Sequence, residues 1–261
     1  MALEADGLAA KDMVMSYNSK VYRTQGGEKM VIGAGGRLDT SAIVHYHTDF
    51  LGDALEDELL AGIGSGTGNA VAISIGIGGR AEIKTSSADA AIGANGSSLG
   101  LGALNWRADQ GGLMMETRIQ VDNVAGVMFF IGFTDVLGST VEAPIFLNAA
   151  DLDSDAADAC GVLFDTDGTT AQWCQGGVKA NTDTTPVYSG TAPVAATWYK
   201  VRVEVSAAGA VQGFIDDGAI APAVANAVTA TTPLVPIIFV ANRGAAARNV
   251  LVDYLTVQAN R

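Results

Sequence analysis

Basic side chains are scarce: 15 Lys and Arg stand against 28 Asp and Glu, a formal net charge of -13. That balance argues against nucleic acid and anionic membrane as main partners, because both reward clustered Lys and Arg, and no basic run occurs. Long apolar runs are missing too. A membrane helix needs roughly 18 to 20 apolar residues, and the most apolar stretch, Val127 to Phe133, is only strand-length. The opening "MALEADGLAAKDMVMSY" lacks the basic start and apolar stretch of a secretory leader, so synthesis is expected to end in the cytoplasm. Proline is sparse, at 6 against 32 glycines, which points to many tight turns rather than disorder.

The only two cysteines, Cys160 and Cys174, flank "GVLFDTDGTTAQW". With Asp167 and Gly168 at a hairpin tip, the midpoint sets the two roughly opposite each other. A cytoplasmic chain keeps thiols reduced, so two packing cysteines are expected in preference to a disulfide.

What is present reads as strands. In "AVAISIGIGG", Val71, Ile73, Ile75 and Ile77 share one face. In "LMMETRIQV", Leu113, Met115, Thr117, Ile119 and Val121 face one way and Glu116, Arg118 and Gln120 the other, the pattern of a half-buried strand. "VMFFIGF" at 127–133 is apolar on both faces, as a strand in the middle of a sandwich would be. Tyr199, Val201, Val203 and Val205 alternate with Lys200, Arg202 and Glu204, and a turn at Gly209 leads into "VQGFIDDG", a hairpin. "PIIFVANR" and "NVLVDYLTVQA" add two more apolar runs. No convincing helical period occurs between 60 and 261, so two packed antiparallel sheets are expected.

The chemistry available is thin. A retaining glycosidase needs two carboxylates about 5 Å apart, and no E-x-D-x-E or E-x-D-x-x-E occurs; Glu56 and Glu58 read as a solvated acidic turn, and Asp216 and Asp217 as a tight turn. His45 and His47 share a face if "VHYH" is extended, with Asp49 continuing it, but no third ligand is evident and a strand edge is the simpler reading. "DTDGTT" at 165–170 has a calcium-loop spacing without the downstream bidentate glutamate, and "DLDSDAADA" at 151–159 is a second acidic loop. Calcium there is weighed against a solvated acidic surface; no cofactor is otherwise expected. "GIGSGTGN" at 62–69 lacks the G-K-[ST] ending of a phosphate loop. Trp106, Trp173 and Trp198 read as packing at core edges, with a sugar-stacking platform as the alternative.

Several of these stretches together resemble the concanavalin-like, laminin-G-type jelly roll: "TDFLGDALEDELL" (48–60) its opening strand and turn, "GLMMETRIQVDNVAGVMFFIGFTD" (112–135) its central hairpin, "TWYKVRVEVSAAGAVQGFIDDG" (197–218) its later strand pair, and "RNVLVDYLTV" its closing strand. The resemblance covers 46–259 and implies an all-β, two-sheet antiparallel jelly-roll sandwich. Ahead of it, "KVYRTQGGEKMVIGAGGRLD" (20–39) is similar to short strand modules of tailed-phage head decoration proteins. On that footing, residues 1–44 form an N-terminal arm and small β segment for attachment and trimerisation, and 45–261 the jelly roll.

The second resemblance implies a non-enzymatic capsid decoration or cement protein on the surface of a virion assembled in the host cytoplasm. Its partners would be the major capsid protein and two further copies of itself, through Val21, Tyr22, Met30, Val31, Ile32 and Leu38. The rival expectation is a carbohydrate-binding, lectin-like module whose partners are surface glycans. A divergent glycosidase or polysaccharide lyase ranks below both for want of a carboxylate strand.

Overall fold

A computed structural model describes residues 21–23, 30–32, 43–75, 78–87, 92, 95–137 and 141–261. The chain divides into two compact units, Met1–Ala42 and Ile43–Arg261. In the first, β1 (Val21–Arg23) pairs antiparallel with β2 (Met30–Ile32), with Val21 opposite Ile32 and Arg23 opposite Met30.

The second unit is built from β3 (Ile43–Thr48), β4 (Leu59–Ile63), β5 (Ala70–Ile73), β6 (Ala81–Lys84), β7 (Gly96–Leu101), β8 (Leu113–Val121), β9 (Val127–Thr134), β10 (Phe146–Asn148), β11 (Asp151–Asp153) and β12 (Ala159–Asp165). It continues with β13 (Cys174–Lys179), β14 (Thr182–Asp183), β15 (Val187–Tyr188), β16 (Trp198–Val205), β17 (Val211–Ile215), β18 (Gly218–Ala219), β19 (Val235–Asn242) and β20 (Asn249–Asn260). Among the described residues the only helix is a 3-10 turn at Ala108–Gln110.

Two eight-stranded antiparallel sheets result. The front sheet runs β14-β13-β12-β9-β19-β7-β4, with β15 also on β13; the back sheet runs β18-β17-β16-β8-β20-β6-β5, with β3 also on β20. The long strand β20 pairs with β8 along one edge and serves two partners along the other, where a bulge between Val252 and Leu255 hands it from β6 to β3. All-β sandwich architecture is therefore what the alternating pattern specified, and burial follows it closely: along β8, Leu113, Met115, Thr117, Ile119 and Val121 are buried while Glu116 and Gln120 are half-buried and Arg118 is exposed.

The main core lies between the sheets, where Phe129, Ile131, Phe133, Val162 and Phe164 meet Met115, Ile119, Val201, Val203 and Val257. A second core lies on the outer side of the front sheet. There Met128, Phe130, Leu163, Cys174 and Phe239 are covered by Ala143, Ile145, Leu147, Leu152 and Ala156 from the 141–158 segment, which includes β10 and β11. β9 is buried at all eight positions because it feeds both cores.

Three sequence expectations change. Residues 112–135 are not a hairpin: β8 pairs with β16 and β20 in the back sheet, and β9 with β12 and β19 in the front, so the connection after Val121 crosses between sheets. The reason is burial. One strand alternates and suits a sheet with a wet face, the other is apolar throughout and needs cover on both sides. Cys160 and Cys174 are not opposite each other either: Cys160 faces Gly177 and Cys174 faces Leu163, one thiol in each core. Lastly, β5 ends at Ile73 where the Ser74 amide donates to the Arg80 carbonyl, leaving Ile75 fully exposed; Ile77 lies outside the described residues.

Candidate functional site

Three surfaces could present chemistry. The outer face of the front sheet is closed, since the 141–158 segment lies across it. The outer face of the back sheet is open but engages itself. The Tyr254 hydroxyl donates to Glu116 at 2.8 Å, Arg118 pairs with Asp253 at 3.0 Å and Lys200 with Asp217 at 2.7 Å. Its aromatic faces are occupied: the Arg118 guanidinium sits 4.9 Å above Trp198 and that of Arg202 4.1 Å above Phe214. A depression of about 440 Å³ on this face has no aromatic wall, and its charges, Glu116, Arg202 and Glu204, pair with one another.

The third is a cavity of about 410 Å³ at one end of the sandwich, between the start of β3, the turn before β4, and the chain from the end of β7 to the 3-10 turn. Its apolar surface comes from Val44, Leu101, Ala103, Trp106 and Ala259, joined by the half-buried Tyr46. Its polar lining is Asp57, Glu58, Asn105 and Gln110. Alternation along β3 places Tyr46 against the core while His45 and His47 point to solvent.

Backbone hydrogen bonds hold the walls. The Gly102 amide donates to the Glu58 carbonyl at 3.0 Å, and Trp106 and Leu234 exchange two bonds, at 3.2 and 2.7 Å. The Asp109 amide donates to the Ala230 carbonyl at 3.0 Å, and Gln110 Oε1 accepts from the Arg107 amide at 3.2 Å. The cavity is thus pre-formed, with little ordering left for a ligand to bring about. Behind it, Glu56 accepts from the Tyr46 hydroxyl at 2.8 Å and from the Thr48 hydroxyl at 2.6 Å. The side chains of Asp57, Glu58 and Asn105 are exposed and make no hydrogen bond or ion pair among the described residues.

The electrostatics are one-sided. Among the described residues no Lys, Arg or His lines the cavity, and Arg107, next to Trp106 in sequence, is bound by Asp109. The phenol of Tyr46 is held well above its ordinary value, first by burial, then by its hydrogen bond to Glu56 and the charges of Glu56 and Glu58.

The residues singled out from sequence fall as follows. Val21, Tyr22, Met30, Val31 and Ile32 lie on β1 and β2, and Leu38 lies outside the described residues. The rings of His45 and His47 stack with centroids 6.3 Å apart, and His47 engages Asp49 at 3.1 Å and Thr256 at 2.7 Å. Among the described residues no group of three or more His, Cys, Asp or Glu side chains is placed to hold a metal ion.

The acidic loops do structural work. Asp158 accepts from the Thr229 amide at 2.6 Å, Asp155 from the Ala143 amide at 3.2 Å, and Asp165 from the Leu147 amide at 2.9 Å. Asp216 and Asp217 have φ of 48° and 67° in the two-residue turn between β17 and β18. Trp173 is 1% exposed, edge-on to Phe129 and Tyr199. Trp106 is also buried, with its accessible edge in the cavity. No strand of the two large sheets carries more than one carboxylate. Asp57, Asn105 and Gln110 carry no motif and become visible only when the loops converge.

No protein-family model matches the chain, and no curated protein matches it significantly. Solved structures do. The carbohydrate recognition domain of Emp47p is similar over 86% of this chain and 99% of that domain, with a TM-score of 0.54 and 12% identity. A Bacillus licheniformis β-glucanase is similar over 82% and 97%, with a TM-score of 0.52 and 11% identity. A Shewanella oneidensis protein of unknown function is similar over 85% and 90%, with a TM-score of 0.51 and 15% identity. At these identities the likeness is one of fold, and the fold is the concanavalin-like jelly-roll sandwich.

Proposed function

We propose that residues 43–261 form a non-catalytic carbohydrate-binding domain that takes a sugar unit in the cavity between Tyr46 and Trp106. The observation that carries this is the cavity's composition: a pre-formed apolar wall with aromatic members, rimmed by Asp57, Glu58 and Asn105, whose side chains have no partner among the described residues. A pyranose has an apolar C–H face and a ring of hydroxyls, so it needs both kinds of surface at once. The fold is shared with a carbohydrate recognition domain and with glucanases, which supports the reading at the level of fold alone.

Binding without hydrolysis is favoured because hydrolysis of the usual kind needs two carboxylates flanking one bond; no strand of either large sheet presents a pair, and the two on the cavity rim, Asp57 and Glu58, are adjacent residues of one turn. Capsid attachment and trimerisation through residues 1–44, implied by the resemblance of that segment, have no support in the structures named above.

The test is a panel of purified oligosaccharides against the protein and its Ala103→Trp variant. Ala103 is exposed on the cavity wall, so the larger side chain fills the cavity without entering the core. At least one oligosaccharide is expected to bind, to weaken by at least about tenfold in A103W, and to be recovered uncleaved. Binding that A103W leaves untouched would move the site elsewhere.

A further inference from the structure

Resting on that reading, we infer that the sugar unit held in this cavity bears a free, protonated amine: the ligand class is an amino sugar rather than a neutral, acidic or N-acetylated one. The argument is charge complementarity within a shaped cavity. Apolar Leu101, Ala103 and Trp106 offer a surface for the C–H face of a ring, but they do not choose among sugars. The choice falls to the rim. Asp57 and Glu58 bring two carboxylates, Glu56 stands behind Tyr46, and among the described residues no cation pairs with the two and no basic side chain lines the cavity. Arg107, which could have neutralised the rim, is turned to Asp109, with its Nε 2.9 Å from Oδ1.

An acidic sugar would meet like charge here, and the whole chain, at -13, reinforces the repulsion. The hydroxyls of a neutral sugar can donate to the same carboxylates but bring no charge to balance theirs. An ammonium group donates to the rim carboxylates and also balances their charge, ion to ion, where a hydroxyl only donates. N-acetylation removes that charge and adds bulk, so the free amine is the form selected.

The experiment is calorimetric titration of the full-length protein with three β-1,4-linked trisaccharides: of glucosamine, of N-acetylglucosamine and of glucose. The solution is held at about pH 6, below the range of an α-amino group, so the sugar amine is charged. The glucosamine trimer is expected to bind at least about tenfold more tightly than either of the others, with affinity falling as salt rises. The isosteric D57N/E58Q variant, altered only at exposed side chains, is expected to lose this preference while still binding the glucose trimer.

Equal affinity for all three, unchanged in D57N/E58Q but lost in A103W, would overturn the amine and leave the carbohydrate reading standing. An amine preference that survives D57N/E58Q would overturn the assignment to this rim. Silence toward all three trimers and toward the wider panel would overturn both.

Discussion

Asp165 and Arg243 form a buried ion pair across the closed face of the front sheet, with Arg243 Nε 3.0 Å from Asp165 Oδ1. The Asp165 side chain is fully buried and that of Arg243 13% exposed. The same carboxylate accepts from the Leu147 amide at 2.9 Å, so it ties β12, β19's end and the covering 141–158 segment together. Removing Arg243 strands a buried carboxylate, at about 3–5 kcal/mol, whereas removing Asp165 leaves Arg243 the exposed Asp167 at 3.3 Å. R243A should lower the unfolding free energy read from urea melts by that much, D165A by less, and the double variant by less than their sum.

Acid should partly rescue R243A. Burial is the main cause that raises the Asp165 carboxyl above 3.8, and Arg243 opposes it; without Arg243 the folded value rises further. A carboxyl raised on folding contributes stability that is full below its unfolded value and lost as pH climbs through the folded one. The deficit of R243A relative to the parent should therefore shrink as pH falls toward 3.8, in urea melts across that range. A constant deficit would mean Asp165 does not titrate there.

Alkali should act through Tyr46 and Tyr254. Both phenols are raised above 10.0, chiefly by burial, and each donates to a glutamate, Glu56 and Glu116 respectively. Their protonated forms stabilise the fold fully below pH 10, and this contribution is lost as pH rises above that value. The melting temperature should fall on going above pH 10, and less steeply in a Y46F/Y254F variant.

Native protein should be inert to thiol reagents. Burial pushes both the Cys160 and Cys174 thiols far up, and they belong to different cores. No label should be taken up until denaturant is added, when both react, and mild oxidation should leave no intramolecular disulfide.

Gly132 and Gly161 face each other on β9 and β12 with the Phe130 ring against both. A Cβ on Gly132 would lie 2.2 Å from the Cys160 carbonyl oxygen, and one on Gly161 2.3 Å from that of Ile131. Either Gly→Ala change should cost about 1–3 kcal/mol or more through overpacking. Gly244→Ala, where a Cβ meets nothing within 4 Å, should stay within about 0.5 kcal/mol.

Much of the architecture was legible in the chain itself. Alternation at Leu113–Val121 and Tyr199–Val205 announced strands with one buried face, and the unbroken apolar run at 127–133 announced a strand covered twice. These are local properties, set by the two-residue period of a strand and the cost of exposing apolar surface. The turn at Asp216 and Asp217 was equally local.

What the tertiary structure alone decided is which strands pair and what their ends bring together. Whether the chain after Val121 folds back as a hairpin or crosses to the other sheet depends on partners many residues away. The cysteine register depended on where β12 and β13 begin to pair, and a shift of a few residues sent the two thiols into opposite cores. The cavity is the strongest case. Tyr46, Asp57, Asn105, Trp106 and Ala259 share no spacing, and they meet only because β20 carries the end of the chain back beside β3, a contact no short-range pattern encodes.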